Sequence, residues 1–182
     1  SIWNKGILIM ATNLQFIKSA SGSDVASVSV TDCFSANYDV YMVSITKFDY
    51  ISSSNAGGMR FIDSGGSVIS DSEYDHADLQ LRMYASFQEL RSTGGTSMLV
   101  GIDSAGGQGE NTTGFTAFIY NPFDSSSFTF TNFQNTDFTS GSGGIGYKGI
   151  GVHKSAEQIT GVNFFNRGTG NISATINVYG VK

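Results

Sequence analysis

The clearest structural signal in this sequence is the segment YDVYMVSITK, which runs from Tyr38 to Lys47. Its aromatic and β-branched residues are typical of a strand, in which successive side chains point to opposite faces. Both faces are apolar through the middle, as in a strand that is covered on both sides. We therefore predict an interior strand against which the others pair or pack. One face would carry Tyr38, Val40 and Met42, and the other Tyr41, Val43 and Ile45.

Similar short segments recur along the rest of the chain, and they indicate about ten to twelve strands at the spacing of sandwiches and barrels. No segment shows a sustained helical period. The sequence predicts an all-β fold, an antiparallel β-sandwich of jelly-roll type. Immunoglobulin-like and up-and-down barrel arrangements stay open, because a pattern does not reveal strand order. We expect residues 1–12 to form an N-terminal arm and residues 13–182 a single β-sandwich domain.

The segment from Leu79 to Phe87 alternates most regularly between apolar and polar residues. We predict that Leu79, Leu81, Met83, Ala85 and Phe87 point inward, and that Gln80, Arg82, Tyr84 and Ser86 point outward. Segments rich in Ser, Gly, Asn or acidic residues are predicted to be loops. They are residues 19–24, 49–58, 71–78, 89–95, 104–113 and 139–146.

Composition excludes several classes of protein. Charged residues make up 14% of the 182 residues, against a usual share of about 25%. The net charge is −5 and the 10 basic residues are scattered singly, so we expect no nucleic-acid partner. No apolar run approaches the length of about 20 residues needed for a transmembrane helix, so we expect no membrane insertion.

Cys33 is the only cysteine, and an intrachain disulfide is therefore impossible. We expect a buried, inert thiol in a protein that folds in a reducing cytosol. The arm, with Trp3 and residues 7–9, has two interpretations of equal weight. It docks onto a neighbouring subunit, or it is a frayed terminus.

Catalytic patterns are missing from the sequence. A nucleophile needs a nearby base, usually a histidine, and the chain has only His76 and His153. There is no Gly-x-Ser-x-Gly elbow. We expect His153 to be a surface residue at a strand end. The sequence thus predicts no catalytic site, and we do not expect an enzyme.

Acidic residues are densest between positions 71 and 78. Oxygen ligands at alternate positions suit calcium, but the glycine turn and the terminal glutamate of a calcium loop are missing. Paired carboxylates could also serve a glycosidase, although nothing else supports that. We predict a solvated loop, and hence no metal or cofactor. The residues concerned are Asp71, Glu73, Asp75, His76 and Asp78.

Aromatic residues in predicted loops are Tyr74, Phe123 and Phe138. They could stack on sugar rings, but packing beneath the loops is the favoured interpretation. Residues 111–113 and 171–173 match the N-glycosylation pattern, which is common by chance, and we discount both.

Several motifs in a fixed order resemble a family of small structural proteins of tailed bacteriophages, especially those of marine cyanobacteria. The resemblance covers nearly the whole chain after Met10. The motifs are VTDCF and NYDVY at residues 30–34 and 37–41, RFID at 60–63, residues 67–74, YNPFDSSS at 120–127, ITGV at 159–162 and INVYGVK at 176–182.

This resemblance implies a fibre-like virion protein, folded in the host cytoplasm, that assembles as a homotrimer with other virion proteins. It implies no site residues. We expect a tail-fibre or appendage module whose loops at 49–58, 104–113 and 139–146 contact the host surface, most simply a glycan. The alternative is a capsid decoration or cement protein with a purely structural role. A glycan depolymerase that uses the acidic segment is a weaker third hypothesis.

Overall fold

The computed structural model describes residues 13–51, 56–103, 114–139 and 143–182. The predicted arm at residues 1–12 lies outside this part of the chain. The described residues form twelve β-strands. Their bounds are β1 (Leu14–Val25), β2 (Ser27–Val30), β3 (Val40–Tyr50), β4 (Ala56–Asp63), β5 (Tyr74–Arg82), β6 (Gln88–Gly95), β7 (Met98–Asp103), β8 (Gly114–Tyr120), β9 (Thr129–Thr139), β10 (Gly143–His153), β11 (Ile159–Asn166) and β12 (Ile172–Val181).

The strands form an eight-stranded sheet, ordered β1-β12-β3-β8-β9-β10-β5-β6, and a four-stranded sheet, ordered β2-β11-β4-β7. Without the hairpins β5–β6 and β9–β10, eight strands remain in two sheets, β1-β12-β3-β8 and β2-β11-β4-β7. This alternation of strands between two antiparallel sheets is the jelly-roll arrangement. The predicted antiparallel jelly-roll sandwich is therefore confirmed, and the two hairpins widen its large sheet beyond β8.

Strand β3 contains the segment that dominates the sequence pattern. It pairs with β12 on one side and β8 on the other, so the prediction of an interior strand is confirmed. Tyr41, Val43 and Ile45 are fully buried between the sheets. Val40 and Met42 face outward and are half-buried.

The core between the sheets is rich in aromatic side chains. Phe115 of the large sheet meets Phe164 of the small sheet edge to face, with ring centroids 5.5 Å apart. The Tyr74 hydroxyl accepts the N–H of Phe61 at 3.0 Å and donates to the carbonyl of Ile69 at 3.1 Å. A buried phenol is favourable only when its hydroxyl finds such partners.

Several segments predicted to be loops belong to strands. Residues 19–24 continue β1, residues 89–95 lie in β6, and β10 begins at Gly143. Their Gly and Asp residues have low strand propensity, but pairing with a neighbouring strand supplies the backbone hydrogen bonds. Residues 71–78 are likewise not one loop, because β5 begins at Tyr74.

The two ends of the described chain meet at one edge of the large sheet. β1 pairs with β12 over nearly its whole length, and Lys182 N–H donates to the carbonyl of Asn13 at 2.9 Å. Among the described residues, no helix is long and apolar enough to cross a membrane.

Candidate functional site

The outer face of the large sheet carries a trough across β8, β9, β10 and β5. Strand register places Phe118 opposite Asn132, and Asn132 opposite Ile150. These side chains point away from the core because they alternate with buried neighbours along each strand. The neighbouring row is formed by Thr116, Gln134, Lys148 and Leu79.

The trough has a volume of about 1010 Å³. It continues into a second hollow of about 630 Å³ toward Ser44 and Leu81. Thr116, Gln134 and Lys148 line both hollows, so the two form one continuous surface feature. We call this feature the outer trough.

The chemistry of the outer trough suits a neutral polar ligand. Asn132 and Gln134 supply exposed amides, and Thr116 supplies a hydroxyl. The Asn132 amide donates to the Tyr120 hydroxyl at 3.0 Å, which fixes its orientation. Phe118 adds an apolar ring between these polar groups.

Few charges border the outer trough. Glu89 and Arg91 of β6 and Lys148 of β10 are exposed along its lining. Asp78 also contributes to the lining, but its side chain is fully buried beneath the sheet. The described lining thus presents one exposed carboxylate, whereas acid–base hydrolysis of a glycosidic bond needs two.

Strand β5 faces the opposite way from the prediction. Leu79 and Leu81 are 37% and 38% exposed on the outer face, whereas His76, Asp78 and Gln80 are buried. Met83 and Phe87, also predicted to point inward, lie beyond the strand end and are 87% and 64% exposed. Alternation separates the two faces of a strand, but it does not say which one meets the core.

The buried polar face of β5 is only partly hydrogen-bonded. The Gln80 amide donates to the Tyr147 hydroxyl of β10, and Arg82 donates to the Gln80 carbonyl oxygen. His76 Nδ1 lies 3.4 Å from Asp78 Oδ1. The hydrogen bonds of Gln80 account for its burial. The buried ring nitrogens of His76 and the carboxylate oxygens of Asp78 form no hydrogen bond among the described residues, although the two groups lie within ion-pair distance of each other.

A second property of the outer face is its exposed apolar surface. Phe16, Phe130 and Ile150 are 52%, 54% and 64% exposed. Phe16 packs edge to face on Tyr179 of the adjacent strand, with ring centroids 5.7 Å apart. We call these three residues the outer apolar band. A band of this kind is typical of a surface that contacts a partner.

The carboxylates of the acidic segment at residues 71–78 do not share one environment. Asp75 faces outward, forms an ion pair with Lys154 Nζ at 2.8 Å and accepts the N–H of Gly94 at 2.7 Å. The hydrogen bond from Lys154, followed by that from Gly94, lowers the pKa of the Asp75 carboxyl. Asp78 points to the opposite face, so the two carboxylates do not converge as a glycosidase would require.

His153 is not a surface residue, contrary to the prediction. It is fully buried, and its ring lies 4.9 Å from that of Tyr74. Its Nε2 atom lies 3.1 Å from Glu73 Oε2 and 3.6 Å from Glu157 Oε1. We call Glu73, His153 and Glu157 the histidine–glutamate cluster. Glu157 carries no sequence signal of its own, since it comes from the connection between β10 and β11.

Cys33 is buried, as predicted, and its thiol donates to the carbonyl of Val30 at 3.3 Å. Burial raises the pKa of the Cys33 thiol from 9.0 to about 12. Since the thiolate is the reactive form, this cysteine is inert in the folded protein.

The aromatic residues singled out from the sequence have different environments. Tyr74 is fully buried, so its packing interpretation is confirmed. Phe123 is half-buried and Phe138 is exposed. Of the two glycosylation patterns, residues 111–113 lie outside the described part, and the Asn171 amide donates to Asp24 Oδ1 at 2.9 Å.

Of the three predicted contact loops, 104–113 lies wholly outside the described residues, whereas only residues 52–55 of the first and 140–142 of the third do. The remaining residues of these two loops belong mostly to strands β3, β4, β9 and β10. The strand register shows which of the strand ends next to these loops lie side by side. Gly114 of β8 pairs with Thr136 of β9, and Thr139 pairs with Gly143 of β10. The second hollow of the outer trough also extends to Gly114 and Thr136. The trough thus approaches the strand ends from which two of these loops leave.

Comparisons with known proteins add little to this description. No family model and no curated protein match the sequence. A legume lectin-like domain from Entamoeba histolytica is similar at 10% identity over 98% of this chain and 88% of its own, with a TM-score of 0.27. A fructofuranosidase from Schwanniomyces occidentalis, complexed with fructosylnystose, is similar at 8% identity and a TM-score of 0.25; the match covers 96% of this chain but 35% of that enzyme.

Proposed function

We propose that this chain is a virion structural protein of a tailed bacteriophage, a tail-fibre or appendage module that binds a host-surface glycan through the outer trough. The observation that supports binding is the composition of the trough, in which Phe118 lies among the amides of Asn132 and Gln134 and the hydroxyl of Thr116. The virion context comes from the sequence motifs at residues 30–41 and 120–127.

A sugar ring presents an apolar C–H face and a rim of hydroxyls. An aromatic side chain beside amides and hydroxyls offers a partner to each of these surfaces. These residues lie on paired strands, so binding would cost little ordering of the protein. An open trough also accommodates several units of an extended glycan.

The assembly state is part of the same proposal. In a homotrimer, or in contact with other virion proteins, Phe16 and Phe130 of the outer apolar band would be covered and their phenyl rings removed from water, while Ile150 stays in the lining of the trough. A single buried thiol suits folding in the host cytoplasm, where no disulfide is needed.

A capsid decoration or cement protein is the second candidate, and the outer apolar band is the observation that favours it. Phe16, Phe130 and Ile150 lie on the same face as the trough. If a capsid surface covers this face, the trough is an assembly groove and holds no glycan.

The decisive test is binding to a panel of host-surface polysaccharides, measured with wild type and Phe118→Ala and Asn132→Ala variants. We expect each variant to weaken binding by about 5–30-fold, since each loses a contact worth roughly 1–2 kcal/mol. Phe128→Ala is the matched control, because Phe128 is exposed but does not line the trough.

Localisation on intact virions, by electron microscopy with a labelled antibody, separates the two candidates. Label at the tail or fibre tips supports host binding. Label spread over the capsid, together with no polysaccharide binding by the wild type, would overturn the first proposal in favour of the second.

A further inference from the structure

The histidine–glutamate cluster has the composition of a metal site that the sequence pattern does not predict. One atom from each of Glu73, His153 and Glu157 lies within 4.8 Å of the other two. The three residues come from separate segments: the residue before β5, the end of β10 and the connection to β11. Only the fold brings them together.

The two distances from the histidine nitrogen are close to the edges of a tetrahedral site. Zinc binds histidine nitrogen and carboxylate oxygen at about 2.0–2.2 Å, which places tetrahedral ligands about 3.3–3.6 Å apart. His153 Nε2 lies 3.1 Å from Glu73 Oε2 and 3.6 Å from Glu157 Oε1. The two glutamate oxygens lie within 4.8 Å of each other, so a metal could enter with rotation of these partly exposed side chains toward the buried imidazole.

Charge around the cluster also favours a cation. A single Nε2–H proton can point at one carboxylate oxygen, yet two glutamates converge on this nitrogen. The nearest lysine in sequence, Lys154, is paired with Asp75. Among the described residues, no lysine or arginine forms an ion pair with Glu73 or Glu157. A divalent ion would neutralise both carboxylates at once.

The burial of the three residues resembles that of a metal site with one open position. His153 is fully buried, whereas the side chains of Glu73 and Glu157 are 37% and 33% exposed. The imidazole is therefore fixed, while water can reach the carboxylates and fill a fourth position. Imidazole together with carboxylates suits zinc better than calcium or magnesium.

One feature of His153 limits the affinity of the cluster for zinc. Coordination through Nε2 places the imidazole proton on Nδ1, and the buried Nδ1 atom has no hydrogen-bond partner. Loss of such a supporting hydrogen bond typically lowers metal affinity by about 10–100-fold. We therefore expect a micromolar site rather than one as tight as a zinc finger.

We propose that Glu73, His153 and Glu157 bind Zn²⁺, with water as the fourth ligand. The ion would tie the segment that precedes β5 to the β10–β11 connection, which leads from the large sheet into the small one. Its role would be to stabilise this end of the sandwich, independently of the outer trough.

The test uses the whole chain after treatment with a chelator, with ZnCl₂ as the probe. Isothermal titration should give one zinc per chain, and a zinc concentration about 100-fold above Kd should raise Tm by roughly 5–10 °C. Replacement of zinc by Co²⁺ should produce the visible absorption of a tetrahedral site.

Glu73→Gln and Glu157→Gln test the ligands while they preserve side-chain size. Both positions are partly exposed, so the variants should fold, as checked by circular dichroism. Each should lower zinc affinity at least tenfold and, at the same zinc concentration, reduce the Tm shift to about half or less. Asp71→Asn is the matched control, because Asp71 is an exposed neighbouring carboxylate outside the cluster. Absence of stoichiometric binding by the wild type, or unchanged binding by both glutamine variants, would overturn the proposal.

Discussion

The phenolic oxygen of Tyr41 forms two hydrogen bonds with the backbone of Ser35. It accepts the Ser35 N–H at 2.7 Å and donates to the Ser35 carbonyl at 2.7 Å. The ring is fully buried and meets Phe34 edge to face, with centroids 4.7 Å apart. One side chain of β3 thus holds the connection from β2 against the core.

Tyr41→Phe should therefore destabilise the protein although it keeps the ring. The substitution leaves both Ser35 backbone groups without this partner, and we expect a loss of about 2–3 kcal/mol in the free energy of unfolding. Urea denaturation measures that loss, which should appear as a Tm lower by about 5–10 °C. Tyr120→Phe is the control, since its hydroxyl contacts an exposed amide and its removal should cost less than about 0.5 kcal/mol. Equal effects of the two substitutions would contradict this account.

Gly151→Ala tests the contact between the sheets. A Cβ atom at this position would collide with the sulfur of Met98 and lie 3.1 Å from Thr131 Cγ2. Overpacking of this kind costs about 1–3 kcal/mol, and Met98→Val should relieve part of it in the double variant. Gly114→Ala should be neutral, because the nearest atom would be 3.7 Å from its Cβ. A Gly151→Ala variant as stable as wild type would show that the sheets are less tightly packed here.

Stability should fall in alkaline solution because of Cys33 and Tyr74. Burial raises the pKa of the Cys33 thiol from 9.0 to about 12, and burial also raises the pKa of the Tyr74 hydroxyl. Both groups stay protonated in the folded chain, while the unfolded chain loses these protons from about pH 9 upward. The free energy of unfolding should thus be unaffected below pH 9 and decline by up to about 1.4 kcal/mol per pH unit per group above it.

Urea denaturation between pH 8 and pH 11 measures this decline. Cys33→Ala and Tyr74→Phe should each make the free energy of unfolding fall less steeply with pH. This holds whatever effect the substitution has on stability at pH 8. An unchanged slope in both variants would show that neither group carries the effect.

The orientation of β5 can be tested with Leu79→Gln. Leu79 faces the outer trough, so we expect a cost below about 1 kcal/mol. If the residue pointed inward, the cost would reach about 2–5 kcal/mol. Ile176→Gln is the matched comparison on the inner face of β12, and its side chain is fully buried. Similar losses at both positions, in the same denaturation assay, would reverse the assignment.

The alternation of apolar and polar residues predicted burial correctly wherever the apolar face of a strand meets the core and its polar face meets solvent. In β12 the apolar residues Ile172, Ala174, Ile176 and Val178 are all buried, as the alternation indicates. The all-β sandwich class could also be predicted, because short strands with frequent turns are typical of it. The strand order that makes it a jelly roll rather than an immunoglobulin-like sandwich depends on pairing between distant segments, which a sequence pattern does not reveal.

Alternation failed where the protein buries polar groups. His76 and Asp78 lie close together on the buried face of β5, and Gln80 bonds to Tyr147, a contact that depends on the position of β10. The outer trough was missed for a related reason: Phe118, Asn132 and Ile150 are far apart in sequence and align only through strand register. His153 and Glu157 are brought to Glu73 by the same pairing of β10 with β5.

The positions of β11 and β12 have a consequence for how the chain is made. β12 lies between β1 and β3, and β11 lies between β2 and β4. Until the ribosome has released both strands, β1 and β2 have no partner in either sheet, and β3 and β4 each present an unpaired edge. Closure of both sheets must then join residues separated by most of the sequence, which slows folding. The nascent protein is therefore exposed to aggregation until β11 and β12 are made, because its few charges provide little electrostatic repulsion between chains.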